Sequence, residues 1–268
     1  MLPIAIQVYS VRDAAAADFR GTLEKIKAMG YDGVEFAGLY GYPAAEVKVM
    51  CAEIGLVPVS AHVSYQEMMT DPRGVLSAYA EIGCKYVAIP YLTPELRPGT
   101  EGFAEVVENA AMLGRIAKEL GMYLLYHNHD FEFEKIHGKY ALEVLYDTVP
   151  AELLGTELDT CWVRVGGEEP AAYVRKFAGR APVVHLKDYA GGKSDNMYEL
   201  IGIESEKKTE DAPFEFRPVG YGVQDVPTII SAAEYAGAEW LVVEQDMPSM
   251  GLDPLGCAEK SIGYLRSL

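Results

Sequence analysis

The chain of 268 residues carries 40 acidic against 23 basic side chains, a net charge of −17, and half of it is hydrophobic. It can bury a large core as one α/β domain, while its field repels nucleic-acid backbones and anionic lipid surfaces. Four cysteines without a C-x-x-C pair exclude a disulfide framework or zinc ribbon, and no apolar run reaches the ~20 residues needed to span a bilayer, so a cytoplasmic protein without nucleic-acid or membrane partners is expected.

In chain order, Ile4 to Ser10 is a short β-rich apolar run, and helical spacing at Phe19, Leu23, Ile26 and Met29 follows. Gly30 then stands just past the helix end, ahead of Val34-Glu35-Phe36. The same punctuation recurs: Gly55 precedes a run ending at His62, Gly83 one ending at Pro90, Gly121 one ending at His127, and Gly237 one ending at Glu244. Leu153 to Asp159 and Val183 to Asp188 supply two further strands, which makes eight. Helices are expected near residues 43–54, 72–82, 102–120, 139–148, 169–178, 226–236 and 254–266. Strict βα alternation implies parallel strands with right-handed crossovers, and eight units over 1–268 fit a single (β/α)₈ TIM barrel. One segment breaks the rhythm. Residues 190–225 are long and highly charged, and they are expected to cover the catalytic face because they leave a strand at its carboxyl end.

The carboxyl ends of parallel strands are where such folds bind ligands. Polar residues there are Glu35, His62, the cluster His127-Asn128-His129-Asp130-Phe131-Glu132, Asp159, His185 with Lys187 and Asp188, and Glu244 with Asp246. Because strand side chains alternate, Glu157 faces the same way as Asp159, and His185 the same way as Lys187. Glu132, Asp159, His185 and Glu244 form a set of three carboxylates and one imidazole, which suits one divalent metal, Mn²⁺ foremost, with Mg²⁺, Co²⁺ or Zn²⁺ as alternatives.

Asp159-Thr160-Cys161-Trp162, His185-Leu186-Lys187-Asp188 and Val243-Glu244-Gln245-Asp246, together with the stretch from Tyr126 to Phe133, resemble the sugar phosphate isomerase/epimerase superfamily, the xylose isomerase-like TIM barrels. The resemblance covers nearly the whole chain and lies nearest its inosose dehydratases and ketose 3-epimerases. It implies that Asp159, His185 and Glu244 hold one metal. The usual fifth-strand glutamate is replaced by His127, so Glu132 is expected to supply the fourth ligand. Trp162 stands where epimerases commonly place a substrate-binding histidine.

The chemistry implied is proton abstraction beside a carbonyl, with a metal-stabilised enediolate. Glu132 and Glu244 are expected to exchange the proton, with Lys187 and His62 steadying the oxyanion or leaving group. His127, His129, Asn128, Glu35 and Trp162 are expected to contact the substrate, a carbohydrate or cyclitol. An isomerase or epimerase is the leading reading. The histidine-rich fifth strand favours an inosose dehydratase or 3-keto-glycoside lyase as the alternative, and a non-catalytic carbohydrate-binding barrel is the alternative of another class. A homo-oligomer is left open.

Overall fold

The glycines that punctuate the sequence close helices because they take the left-handed conformation that side chains oppose: Gly30, Gly55, Gly83 and Gly237 have φ of 105, 78, 105 and 80°. In the computed structural model, which describes residues 1–194, 197–198 and 214–268, each of these turns feeds a strand. The eight strands are β1 (Ile4–Gln7), β2 (Gly33–Ala37), β3 (Val57–His62), β4 (Tyr86–Ile89), β5 (Tyr123–His127), β6 (Leu154–Asp159), β7 (Val183–Leu186) and β8 (Trp240–Val243). They pair in parallel in the closed order β1-β8-β7-β6-β5-β4-β3-β2. The chain is a single (β/α)₈ barrel.

Among the described residues, eight principal helices form the outer ring: α1 (Phe19–Met29), α2 (Ala44–Ile54), α3 (Pro72–Ile82), α4 (Glu101–Glu119), α5 (Ala141–Thr148), α6 (Pro170–Lys176), α7 (Val226–Ala236) and α8 (Pro254–Ser267). Four of them begin with an aspartate whose carboxylate accepts a main-chain N–H of the first turn: Asp18, Asp71, Asp225 and Asp253. Short helices at Arg12–Ala17, Tyr65–Thr70 and Thr160–Val165, and a ribbon pairing Lys135–Ile136 with Lys139–Tyr140, were not foreseen from the sequence. None of them carries enough residues to set up a period. Among the described residues no helix is long and apolar enough to cross a membrane.

The barrel interior is filled from alternate positions. Ala5, Tyr86, Ala88, Leu125, Val183 and Val242 pack with Val59 as one apolar layer, flanked by Tyr123 and Trp240. Small residues make room for the aromatic rings: a Cβ on Gly155 would lie 2.6 Å from the Tyr123 ring. Strand β3 departs from simple alternation, because the β2–β3 register slips by one residue between Val34 and Glu35. Val59 and His62, three positions apart, thereby both reach the interior. This is the re-aiming that a bulge performs at a barrel rim.

The middle of the 190–225 segment, residues 195–196 and 199–213, lies outside the described residues, and so does the test of whether it covers the site. Its two ends are described. Asp188–Ala190 pairs antiparallel with Glu215–Arg217, and the Asp188 carboxylate accepts the N–H groups of Tyr189, Gly220, Gly222 and Gln224 at 2.9–3.1 Å. Gly220 and Gly222 let the main chain come this close to the carboxylate, since a Cβ on Gly222 would lie 2.2 Å from Asp188 Oδ1. Asp188→Ala would leave these donors unpaired, and we expect it to lower the stability to urea by about 3 kcal/mol, with Asp188→Asn intermediate. An unchanged urea midpoint in the alanine variant would show that the clasp contributes nothing.

Candidate active site

Period two carries the polar residues to one end of the barrel. Following the apolar layer come Gln7 and Glu35 from β1 and β2, His62 from β3, His127 from β5, Glu157 and Asp159 from β6, His185 and Lys187 at β7, and Glu244 and Asp246 beyond β8. All are buried except His62, which is half-buried. They open into a cleft of about 390 Å³ lined by Tyr9, Ala37, Gly38, His62, Glu67, Pro90, Tyr91, His127, His129, Lys187, Glu244 and Asp246. That volume falls in the range of small-molecule sites.

The floor of the site is an ion-paired ring. His62 Nε2 lies 2.6 Å from Glu157 Oε2 and 3.0 Å from Glu35 Oε1, while His185 Nε2 lies 2.9 Å from Glu35 Oε1. Gln7 Nε2 donates to the same Glu35 oxygen at 2.7 Å. Burial works against a charge on His62, but Glu35 and Glu157 outweigh it and raise its pKa to about 10.

Above the ring, two sets of donors each lie within 4.8 Å of one another: His62, His127, Glu157 and His185, and then His127, Asp159, His185 and Glu244. In the first set His62 and Glu157 already satisfy each other. The second set is short of partners. His127 Nδ1 is 3.3 Å from the Pro90 carbonyl, a contact that places the ring proton there, while Nε2 and Asp159 Oδ2 are buried with no hydrogen-bond partner. The other Asp159 oxygen is engaged, accepting the N–H of Trp162 at 3.0 Å. Four donors placed tetrahedrally about 2.1 Å from a cation stand about 3.4 Å apart. His127 Nε2 is 3.5 Å from both Asp159 Oδ2 and Glu244 Oε2, and His185 Nδ1 is 3.2 Å from Glu244 Oε2. These residues fit a divalent cation.

Lys187 is fixed beside them, with Nζ 2.5 Å from Asp246, 3.1 Å from Glu244 and 3.8 Å from Asp159. Burial disfavours its charge, but Asp246, Glu244 and Asp159 reverse the effect and hold its pKa well above the usual lysine value. His129 shifts the other way. Burial, helped by the nearby His127 and Lys187, holds its pKa well below the usual value, and its Nδ1 has no partner.

Glu132, expected as the fifth-strand ligand and a proton carrier, is in neither donor set and does not line the cleft. The turn Phe131–Phe133 swings it back, so that it accepts from the Tyr126 hydroxyl at 2.6 Å and from the His129 N–H at 2.8 Å. His127 stands in its place, and the donor set becomes two imidazoles and two carboxylates. A set with two imidazoles and two carboxylates has donor types that suit Zn²⁺ as well as Mn²⁺. Three expected substrate contacts are also absent from the cleft lining. Glu35 belongs to the floor, Asn128 bonds to the main chain of Asp159, and Trp162 lies behind His129 at a ring separation of 5.2 Å. Tyr9 and Tyr91, which do line the cleft, escaped the sequence reading because lone aromatics in loops resemble core residues.

Burial raises the Glu132 pKa to about 7, against the lowering pull of its Tyr126 and His129 bonds. A carboxyl whose folded pKa is raised adds stability at acid pH that is lost as pH rises through the folded value. In the metal-free protein this amounts to about 3 kcal/mol between pH ~4.5 and ~7. The difference in urea stability between the wild type and Glu132→Gln should therefore change by that amount across this window. A constant difference would contradict the shift.

The model of the xylose isomerase-like TIM barrel family matches residues 23–268. The chain belongs to this family. An inosose dehydratase of Bacillus cereus is 28% identical over 171 residues, which cover 62% of this chain and 54% of that protein. The chain thus spans about half the length of the curated relatives it matches. Among solved structures, a sugar phosphate isomerase/epimerase from Parabacteroides distasonis aligns with a TM-score of 0.79 at 20% identity, covering 100% of this chain and 99% of the other. The IolI protein with a bound zinc atom aligns at 0.72 and 16% identity, over 99% and 97% of the two chains. At these identities the structural likenesses establish the family's fold.

Proposed function

We propose that the chain is a divalent-metal-dependent enzyme that removes a proton from the carbon beside a carbonyl in a sugar or cyclitol. The observation that carries this reading is the pair of buried donors without a hydrogen-bond partner, His127 Nε2 and Asp159 Oδ2, converging with His185 and Glu244 beside a sugar-sized cleft that His127 and Glu244 line. A divalent cation held there by His127, Asp159, His185 and Glu244 would supply a Lewis acid that polarises the carbonyl. The names of the family and its relatives fit a sugar- or cyclitol-modifying enzyme, and the zinc bound by IolI fits a barrel that holds a metal.

The chain's own residues supply the proton handling. His129 presents an unpartnered Nδ1 on a ring stacked against Phe131 at 5.5 Å, and Glu132 holds its main-chain N–H, so it is a fixed proton acceptor at the cleft wall. Lys187 keeps an ammonium on the cleft surface, where it can stabilise an oxyanion or protonate a leaving oxygen. Tyr9 and Tyr91 flank the opening and exclude water from one side of a bound ring.

An isomerase or epimerase is the first reading. Dehydration or β-elimination is the second, and one observation favours it: the His129 imidazole and the Lys187 ammonium line the cleft with Glu244, whereas Glu132 does not. The test is a panel of ketoses, inososes and 3-keto-glycosides incubated in D₂O with Mn²⁺ or Zn²⁺ and followed by NMR. Deuterium beside the carbonyl in a recovered or rearranged sugar supports the first reading, and loss of water or alcohol supports the second. Binding without exchange or elimination on any of them would leave a carbohydrate-binding barrel and overturn the enzyme.

A further inference from the structure

We propose that Glu35 is a positioning residue, which fixes the His185 ring so that Nδ1 is presented to the upper donor set and Nε2 keeps the proton. The inference rests on the reading that the upper donor set holds a divalent cation. His185 is fully buried, and its two nitrogens face different surroundings. Nδ1 is within hydrogen-bonding geometry of Glu244 Oε2 at 3.2 Å, while Nε2 makes ion-pair contacts with Glu35 Oε1 at 2.9 Å and Glu157 Oε2 at 3.5 Å that are not aligned as hydrogen bonds.

A neutral imidazole offers a lone pair from one nitrogen only, and the other must carry a hydrogen. Carboxylates lie on both sides, so the question is which side holds the proton once a cation is bound. Once bound, a divalent cation together with the Lys187 ammonium would balance the three upper carboxylates, Asp159, Glu244 and Asp246. The lower pair, Glu35 and Glu157, has among the described residues one charged partner besides His185, which is His62. The proton therefore belongs on Nε2, and the lone pair on Nδ1.

Glu35 is itself held in place. It stands opposite Gln7 in the β1–β2 register, and the Gln7 amide donates to Glu35 Oε1 at 2.7 Å. The other end of that amide accepts the Tyr9 N–H at 3.0 Å, which settles which way the Gln7 amide points. A chain of contacts thus runs from the main chain after β1, through Gln7 and Glu35, to the ring of His185. Turning the ring over would put carbon against both Glu35 and Glu244. An outer carboxylate acting on a ligand histidine is worth about 10–100-fold in metal affinity.

Two measurements test this. Histidine ¹⁵N NMR on the zinc-saturated wild type, with the His185 signals assigned by their loss in His185→Gln, should show Nδ1 coordinated and Nε2 protonated. Competition with a chelator should show Glu35→Gln binding zinc about 10–100-fold more weakly than the wild type. Coordination of His185 through Nε2, or an affinity for Glu35→Gln within twofold of the wild type, would overturn the proposal while leaving a metal site in place. A wild type that takes up no divalent metal would overturn both the proposal and the reading beneath it. If Glu35→Gln does not fold, the wild-type spectrum decides alone.

Discussion

His127→Ala is expected to lose divalent metal and, with it, proton exchange on any sugar the wild type accepts. The ring contributes one of four donors, and its removal should weaken zinc by more than the about 10–100-fold that loss of an outer partner costs. Little else depends on it, because Nδ1 has only a 3.3 Å contact with the Pro90 carbonyl and Nε2 has no hydrogen-bond partner. The variant should therefore fold. Glu132→Gln is the matched control, since its carboxylate bonds to Tyr126 and to the His129 N–H and lies outside the donor set. Chelator competition on both variants separates the two residues: loss of metal in Glu132→Gln with retention in His127→Ala would reverse the assignment.

Lys187→Met should be the most destabilising change at the site. The ammonium is 2% exposed and stands against Asp246, Glu244 and Asp159, so its removal leaves like charges buried together. Breaking a buried pair from one side costs about 3–5 kcal/mol, more than the chain length of methionine can offset by packing against Trp162 and Phe216. Urea unfolding of the metal-free protein at pH 8 should show that loss. It should shrink as pH falls and Asp246, whose pKa burial raises to about 6, takes up a proton. A loss below about 1 kcal/mol at pH 8 would mean that the three carboxylates do not share one buried charge.

The barrel was legible because its signals are local and repeated. Gly30, Gly55, Gly83 and Gly237 mark helix ends by a conformation other residues avoid, and the runs that follow them are apolar enough to be strands. Period two then brought His127, Asp159, His185 and Glu244 to one end, as the structure has them. A side chain's direction is not legible in sequence where it depends on a turn. Glu132 sits five residues past His127, and only the short turn Phe131–Phe133 decides that its carboxylate points back at the His129 N–H. Likewise His62 enters the ring with Glu35 and Glu157 because of a register slip at β2–β3 that no composition signals. Trp162 read as a site residue from its place after Asp159, yet the helix it sits on, Thr160–Val165, turns it into a second aromatic layer with Phe214 and Phe216.

The position of the bound ion tests the account most directly. Crystals grown with Zn²⁺ or Mn²⁺ and measured at the metal's absorption edge should show one strong anomalous peak, about 2.0–2.2 Å from His127 Nε2, Asp159 Oδ2, His185 Nδ1 and a Glu244 oxygen. A peak at the Glu132 carboxylate, or none at the barrel's carboxyl end under saturating metal, would contradict it.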